Sequence, residues 1–377
     1  MPQKSAVRTD RGVMDLPYLL LTLLLTAVGL IMLFSASFPR AHYVTGNSAS
    51  YFLSQLLFAV LGIVAMYFVS RIPYSLYYGA SRLLYFSCVA LLFAVLLFGL
   101  TGGGATRWIK IGFISFQPSE IAKLSLIISL AKILTDHRKD SRTGKVFFAC
   151  SGAMLIVAVL LILEPHFSAT IIVASLCFLL MLVGGVNTKY LVTIALSGGG
   201  ILLLLILTGG YTGDRIMAWL DPEAYPTDEG YQIVQSLYAI GSGGLFGLGF
   251  GKSRQKYLYL PFQYNDYIFA IVCEELGLIG ALLIVALFSL TILRGYWIAL
   301  RASSRFSTVL AAGLTTLIAV QTILNLCVVT NLLPSTGIAL PFFSYGGTAL
   351  AVNLGEMGIV LSISRQRDET RKQEVSL

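Results

Sequence analysis

YIFAIVCEELGLIGALLIVALFSLTIL, residues 267–293, decides the fold class of this chain. Its only charged residues are Glu274 and Glu275, and it exceeds the ~20 apolar residues that a helix needs to cross a bilayer. Lipid offers no hydrogen-bond partner to the backbone, so a segment of this composition is expected to be helical. The stretch therefore predicts a transmembrane helix.

Nine further runs share this character. Hydrophobic residues make up 56% of the 377 residues and charged residues 12%, against about 25% charged in a typical soluble domain. We therefore predict an all-α polytopic membrane protein with ten transmembrane helices, at 16–37, 51–70, 82–100, 118–134, 146–163, 167–185, 190–208, 267–293, 308–330 and 346–364.

The basic residues predict the orientation. Most of the 26 Lys and Arg residues fall on one side when both termini are cytoplasmic, as the positive-inside rule requires. The net charge of +8 is thus a topology signal and gives no case for nucleic-acid binding. We expect a cytoplasmic segment 1–15, a membrane domain 16–364 and a disordered cytoplasmic tail 365–377.

A long outer loop, 209–266, separates predicted helices 7 and 8. Structureless loops of this length are rare in compact chains, so we expect it to be functional and partly folded. Two stretches, 217–226 and 231–241, are typical of short amphipathic helices at a membrane interface.

The cysteines and histidines do not indicate a metal site. The five cysteines lie in or beside predicted spans without CxxC pairing, and the three histidines are scattered. The cysteines are interpreted as small apolar fillers, and no zinc ligand set is apparent.

Ionisable residues within spans are functional candidates, because lipid makes them costly. Glu120 and Lys123 are three residues apart on one helical face, which fits either a structural ion pair or a cavity lining that attracts an anion. Glu164 and His166 occupy a tight turn, and Glu356 is interpreted as an interhelical anchor.

Asp266 stands at the outer mouth of predicted helix 8, whereas Glu274 lies roughly 12 Å deeper at 1.5 Å rise per residue. Asp266 fits two roles: the N-cap of the helix, or a general base for a substrate hydroxyl. Glu274 and Glu275 point about 100° apart, so one of them is expected to pair with a basic residue across the bundle.

A glycine-rich stretch, GSGGLFGLGFGKS at 241–253, is not a Walker loop, because Phe246 stands where the first glycine is required. Its backbone N–H groups, together with Lys252, Arg254 and Lys256, suit the binding of a phosphate on the outer face.

Six motifs in order resemble the SEDS family (shape, elongation, division and sporulation proteins). They are SAS at 35–37, GATRWIKIG with FQPSEIAK at 104–123, LEPHFSAT at 163–170, DP at 221–222 followed by GYQIVQSLYAIGSGGLFGLGFGKSRQKYLYLP at 230–261, DYIFAIVCEELGLIG at 266–280, and NLLPSTGIALPFFSYGGTAL at 331–350. LPFFSYGGTAL and EMGIVLSISRQ are closer to FtsW-like members. The resemblance covers nearly the whole chain.

This resemblance implies a glycosyltransferase that polymerises lipid II into peptidoglycan, with inversion, on the outer face of the bacterial cytoplasmic membrane. It implies that Asp266 is the catalytic residue. The substrate-binding residues that we expect are Arg107, Trp108, Lys110, Glu120, Lys123, Arg215, Lys252 and Lys256, and the structural polar residues are Glu164, His166, Glu274, Glu275 and Glu356. The implied partners are a class B penicillin-binding protein and other divisome or elongasome proteins.

The chain departs from the family pattern at several positions. Phe262 occupies the place of a glutamate and Asn265 that of a threonine ahead of Asp266, and His166 replaces an aspartate. The first change puts a second carboxylate near Asp266 in doubt. The sequence leaves open whether Mg²⁺ or Mn²⁺ bridges the pyrophosphate to acids.

Two other function classes compete with the enzyme. A lipid II flippase or other multi-pass transporter would also carry acids within its spans, but inverted repeats with broken midplane helices are not apparent in the sequence. A non-catalytic scaffold for division or elongation proteins predicts that Asp266 has no part in polymer formation.

Overall fold

The structure is a computed structural model that describes residues 12–102, 105–111, 114–138, 143–208, 211–226 and 228–375. Residues 1–11 of the predicted N-terminal segment and residues 139–142 lie outside these ranges. The helices are α1 Leu16–Thr45, α2 Ser50–Val69, α3 Tyr74–Phe98, α4 Pro118–Asp136, α5 Gly144–Leu163, α6 Phe167–Val183, α7 Thr188–Thr208, α8 Tyr211–Leu220, α9 Asp228–Gly243, α10 Ile268–Leu300, α11 Arg305–Val329 and α12 Gly347–Val375.

The predicted polytopic helical fold is confirmed. Within the described ranges, seven helices are long and apolar enough to cross a membrane, namely α1, α2, α3, α5, α10, α11 and the Gly347–Gln366 part of α12. Helix α6 is apolar but shorter, at 17 residues. Each of the ten predicted spans falls on a helix, and their number stays a prediction.

Burial divides the helices into inner and outer ones. Of the 18 most apolar consecutive residues of α11, 72% are buried. The corresponding share is 22% in α2 and 22% in α3. Leu57 and Leu83 illustrate the difference, because both are large, apolar and exposed. Such side chains face the position that lipid would occupy, so α11 forms the centre of the bundle.

A small antiparallel sheet was not predicted from the sequence. Strands β1 Leu100–Gly102, β2 Ala105–Ile111 and β3 Ile114–Phe116 pair in the order β1-β2-β3. Leu100 lies opposite Trp108, and Ile109 lies opposite Phe116. The sheet gives the segment between α3 and α4 a defined shape, and it carries Arg107 and Trp108.

The outer loop is folded, as predicted, although one of its two predicted helices is misplaced. Helix α9 covers the stretch expected at 231–241. The stretch expected at 217–226 is helical only as far as Leu220, because Asp221 caps a short 3₁₀ turn, Pro222–Ala224, by accepting a hydrogen bond from the Ala224 N–H at 3.3 Å.

Helix α10 is interrupted at Gly277, whose φ of 68° and ψ of −171° are not helical. The backbone groups freed there bond to the loop that follows α9. Leu248 N donates to Glu274 O at 2.9 Å, and Leu278 N donates to Gly244 O at 2.9 Å. The break was not expected from the sequence, and it docks the glycine-rich loop on α10.

Replacing Gly277 with alanine should destabilise the fold. Its backbone conformation is one that only glycine adopts readily, at a cost of about 1–3 kcal/mol for other residues. An added Cβ would also lie 2.3 Å from Gly247 N. Gly355→Ala, in a helix where an added Cβ meets nothing within 4 Å, is the matched control. Denaturant titration in detergent should show a loss for Gly277→Ala, and an equal response of the two variants would contradict this account.

The predicted disordered tail is wrong over most of its length. Helix α12 continues to Val375 instead of ending near residue 364. The sequence QRDETRKQEV after the span is rich in good helix formers. A polar sequence ends the membrane span, but it does not end the helix, which continues beyond the span.

Candidate active site

A cavity of about 240 Å³ lies where β2, α4, α11 and α12 meet the segment before α10. It contains both charged and aromatic groups. Its lining residues are Arg107, Trp108, Gln117, Glu120, His166, Asn265, Asp266, Gln321, Gly337, Ala339, Leu340, Pro341, Phe342, Ser344, Tyr345, Gly346, Ala349, Leu350 and Asn353.

Asp266 is held in this cavity through its backbone. Asn325 Nδ2 donates to Asp266 O and to Ile338 O, each at 2.7 Å, so one buried amide fixes two segments. A Cβ added at Gly337, where φ is +68°, would lie 3.3 Å from Asp266 Oδ2. The segment before α12 therefore approaches the Asp266 carboxylate closely.

The capping role for Asp266 is wrong. The N-cap of α10 is Tyr267, and no side chain caps this end of the helix. The Asp266 carboxylate lines the cavity instead. Of the two roles that the sequence left open, the geometry favours that of a proton acceptor.

The electrostatic setting of Asp266 suits a base near neutral pH. Burial raises the pKa of its carboxyl to about 6, and Arg215 and Arg107 oppose this rise in pKa because their positive charges favour the ionised form. A carboxylate with this pKa is mostly ionised at pH 7, and it binds a proton more readily than an ordinary aspartate does.

A reaction that uses Asp266 as base should slow as the pH falls through about 6, since the carboxyl is then protonated. The expected kcat/KM falls about tenfold per pH unit below that value. Arg215→Gln should move this limb to higher pH, because it removes a charge that lowers the pKa of Asp266.

Glu164 is the necessary control for this profile, because burial raises the pKa of its carboxyl to about 7. If the limb belongs to Asp266, Glu164→Gln leaves it in place. Loss of the limb in Glu164→Gln, or an unmoved limb in Arg215→Gln, would contradict the assignment.

Two arginines approach the site from different elements. Arg107, on β2, lines the cavity, and its Nη2 donates to Pro165 O in the turn between α5 and α6. Arg215, on α8, donates from Nη1 to Ser335 O at 3.2 Å. The sequence-predicted residues Arg107, Trp108, Glu120 and Asp266 are therefore brought together, with Arg215 close enough to act on the Asp266 charge.

Glu120 and Lys123 form the predicted ion pair, with Lys123 Nζ 2.8 Å from Glu120 Oε2. Glu120 lines the cavity, whereas Lys123 is buried behind it. Glu356, on α12, is buried within electrostatic reach of both residues, and among the described residues its carboxylate oxygens have no hydrogen-bond partner. Lys123 thus pairs with Glu120, and its charge also acts on the buried Glu356, whereas it does not line the cavity.

His166 and Glu164 lie in the turn on which Arg107 docks. His166 lines the cavity, with its Nε2 3.5 Å from Gln117 Nε2. Burial and the charges of Arg107 and Lys123 lower the pKa of His166 to about 3, so its imidazole is neutral. The side chain that replaces an aspartate here brings no charge to the cavity at neutral pH.

Lys256 does not occupy the substrate-binding position that we expected. It is buried, its Nζ lies 2.8 Å from Glu275 Oε1, and it donates to Ser35 Oγ at 3.0 Å. Lys252 is exposed on the same loop, and it does not line the cavity. Lys110 lies on β2, and its side chain is outside the described set.

Glu274 and Glu275 are buried and bind the outer loop, so the basic partner of Glu275 lies in that loop and not across the bundle as we expected. Glu274 accepts a hydrogen bond from Arg254 N at 2.8 Å and another from the Ser253 hydroxyl. Glu275 pairs with Lys256. The two acids bind the outer loop, one through its backbone and one through its lysine.

Sequence reasoning missed several polar residues of the cavity. None of Gln117, Gln321 and Asn353 was predicted to bind a ligand, and Asn265 was noted only as a departure from the family pattern, yet all four line the site. Polar residues within spans were the available signal. Their spacing along α11 and α12 could not tell a cavity from a helix contact.

The described residues contain no cluster of three or more His, Cys, Asp or Glu side chains suited to a metal ion. Among them, Glu120 and Asp266 are the carboxylates that line the cavity. Phe262 does not line it, and its side chain is 52% exposed.

Known proteins resemble this chain over nearly its whole length. The family of cell cycle proteins that comprises FtsW, RodA and SpoVE matches residues 16–369. Stage V sporulation protein E of Bacillus subtilis is 40% identical over 354 residues, 93% of this chain and 97% of that protein. The probable peptidoglycan glycosyltransferase FtsW of Geobacter sulfurreducens is 37% identical over 358 residues, 93% of this chain and 95% of its own length.

Solved structures share the fold. A chain from a structure described as the structural coordination of polymerization and crosslinking by a peptidoglycan synthase complex matches with a TM-score of 0.81 at 25% identity, over 94% of this chain and 98% of its own. The rod shape determining protein RodA of Thermus thermophilus matches with a TM-score of 0.71 at 26% identity, over the same shares of the two chains, 94% and 98%.

Proposed function

The chain belongs to the FtsW, RodA and SpoVE family of cell cycle proteins, and from that membership we propose that it is a peptidoglycan glycosyltransferase that polymerises lipid II. Relatives named as probable peptidoglycan glycosyltransferases, at 35–38% identity over nearly the whole chain, support this activity. The observation that carries the proposal is a single cavity that joins Asp266 to Arg107 and lies within reach of the Arg215 charge.

The proposed reaction is one inverting displacement. The acceptor 4-hydroxyl oxygen forms a bond to the anomeric carbon of the donor, and its proton passes to the Asp266 carboxylate. The bond between the anomeric carbon and the pyrophosphate oxygen breaks, and the undecaprenyl pyrophosphate leaves with the electron pair. Asp266 is thus the general base, and Arg107 and Arg215 stabilise the negative charge on the leaving group.

The remaining residues of the cavity support these groups. Trp108 is placed to pack against the sugar, and Glu120 with Lys123 fixes the start of α4 beside it. The neutral His166 and Gln117 provide hydrogen bonds without adding charge. These roles follow from position and chemistry.

The proposed location is the bacterial cytoplasmic membrane, with the cavity on the outer face. The basic residues at the opposite helix ends support this orientation. A class B penicillin-binding protein is the proposed partner. It is supported by the likeness to a chain of a complex that coordinates polymerisation with crosslinking.

A transporter is the second candidate, because the break at Gly277 in α10 is a feature that transporters use. The freed backbone groups, however, bond to residues 244–249 of the same chain rather than lining the cavity. The break therefore serves the docking of a loop, and it does not favour transport over catalysis.

The test is polymerisation of purified lipid II by the purified chain, with and without a candidate class B penicillin-binding protein, followed by gel separation of the glycan strands. The same preparation in liposomes reports movement of labelled lipid II between leaflets. Glycan strands without movement support the enzyme. Movement of lipid II without glycan strands would indicate a flippase instead of a polymerase. If neither activity is detected in the presence of the partner, the result would favour a scaffold.

A further inference from the structure

A second cavity lies at the opposite end of α4 from the candidate active site. It has a volume of about 260 Å³, and its surface is mostly apolar although basic side chains are among its lining residues. Its lining residues are Ser81, Arg82, Tyr85, Phe86, Ser129, Lys132, Ile133, Asp136, His137 and Ala153. This is the end of the bundle whose basic residues predict the cytoplasmic side.

An apolar groove of about 580 Å³ continues from this cavity along the outside of the bundle. Phe86 lines both spaces, so the two are neighbours on the α3–α5 surface. The groove is formed by Phe86, Val89, Ala90 and Phe93 of α3 and by Leu155, Ile156, Val159 and Leu160 of α5. At the junction, Tyr85 Oη donates to Ala153 O at 2.8 Å and holds the two helices together.

The charges at the cavity are complementary to an anion. Among the described residues, Arg82 has no ion pair or hydrogen bond, and it is exposed. Lys132 Nζ donates to Tyr78 O at 3.1 Å, which orders it at the rim. Asp136, the one acid of the lining, accepts a hydrogen bond from Tyr78 Oη at 2.5 Å and keeps its negative charge, so the lining carries the two positive charges of Arg82 and Lys132 against one negative charge.

We propose that this cavity and groove bind one anionic glycerophospholipid from the cytoplasmic leaflet. The phosphate lies at the rim between Arg82 and Lys132, and one acyl chain lies along the α3–α5 groove. Basic pockets between transmembrane helices on the cytoplasmic side bind anionic headgroups in this way. The site is separate from the lipid II cavity and does not depend on the proposed activity.

Binding is measured on the full chain in detergent, by native mass spectrometry and by thermal unfolding in a titration with dioleoylphosphatidylglycerol. Arg82→Gln combined with Lys132→Gln should weaken the affinity for this lipid at least about tenfold. Arg301→Gln removes an exposed charge from the end of α10, outside the cavity, and should change the affinity less than twofold. Ala90→Trp fills the groove and should weaken binding while leaving both charges in place.

Three results would overturn the proposal. Dioleoylphosphatidylcholine could bind as tightly as the anionic lipid, which would remove the role of charge. The double variant and Arg301→Gln could lose equal affinity, which would indicate a nonspecific surface effect. Inorganic phosphate could give the same thermal stabilisation as the lipid, which would indicate an anion site without a place for the acyl chain.

Discussion

Asp266→Asn is expected to lower the rate of glycan polymerisation by about 10²–10⁴-fold, the range that a positioned general base contributes. Asparagine keeps the size of the side chain but cannot take a proton from the acceptor hydroxyl. The hydrogen bond that fixes this position comes from Asn325 to the backbone carbonyl of Asp266, so the substitution leaves it intact. The measurement is the initial rate of strand formation from purified lipid II.

Glu223→Gln is the matched control, since it neutralises an exposed acid on the same outer loop outside the cavity. It should polymerise at the wild-type rate. Both variants should unfold at the wild-type temperature in detergent. A polymerisation rate for Asp266→Asn within a few-fold of wild type would show that Asp266 is not the general base. The arginines would then be the main catalytic groups.

Lys256→Met is expected to destabilise the folded chain by roughly 3–5 kcal/mol, as when one partner of a buried ion pair is removed. The Glu275 carboxylate would stay buried without its cation, because its neighbours Ser35 and Ser253 provide hydrogen bonds but no charge. The free energy of unfolding is measured by titration with a denaturing detergent.

Lys252→Met is the control for this substitution, because it makes the same chemical change at an exposed position four residues away. Its stability should match the wild type. Adding Glu275→Gln to Lys256→Met should recover part of the loss, because the uncompensated charge is then gone. If Lys252→Met and Lys256→Met are equally stable, the buried pair is not what holds the outer loop.

The transmembrane helices could be predicted because their signal is local and strong. The composition of residues 267–293 alone predicts a transmembrane helix, and α10 covers all but the first of these residues. Asp266 could be singled out because an acid at the start of such a span is costly unless it faces water or a partner. Its surroundings could not be predicted, because Gly337 and Asn325 reach it from distant parts of the chain.

The roles of Lys252 and Lys256 show where a local pattern fails. Both follow the same glycine-rich stretch, and both suited a phosphate. Only the structure shows that Lys256 turns inward to Glu275 while Lys252 stays exposed. The direction of each side chain depends on the docking of the loop at the break in α10, a tertiary contact that no spacing in the sequence reports.

The amide of Asn325 has a consequence for control from outside the membrane. It holds the Asp266 and Ile338 carbonyls from α11, a helix at the centre of the bundle. The backbone of Asp266 is therefore fixed to a buried helix of the bundle. Arg107 belongs to the small sheet and Arg215 to α8. A protein that contacted the sheet or α8 would act on the two cations more directly than on Asp266. Activation of this enzyme would then appear as stronger binding of the leaving group together with a shifted acid limb of the pH profile, because both arginines lower the pKa of Asp266.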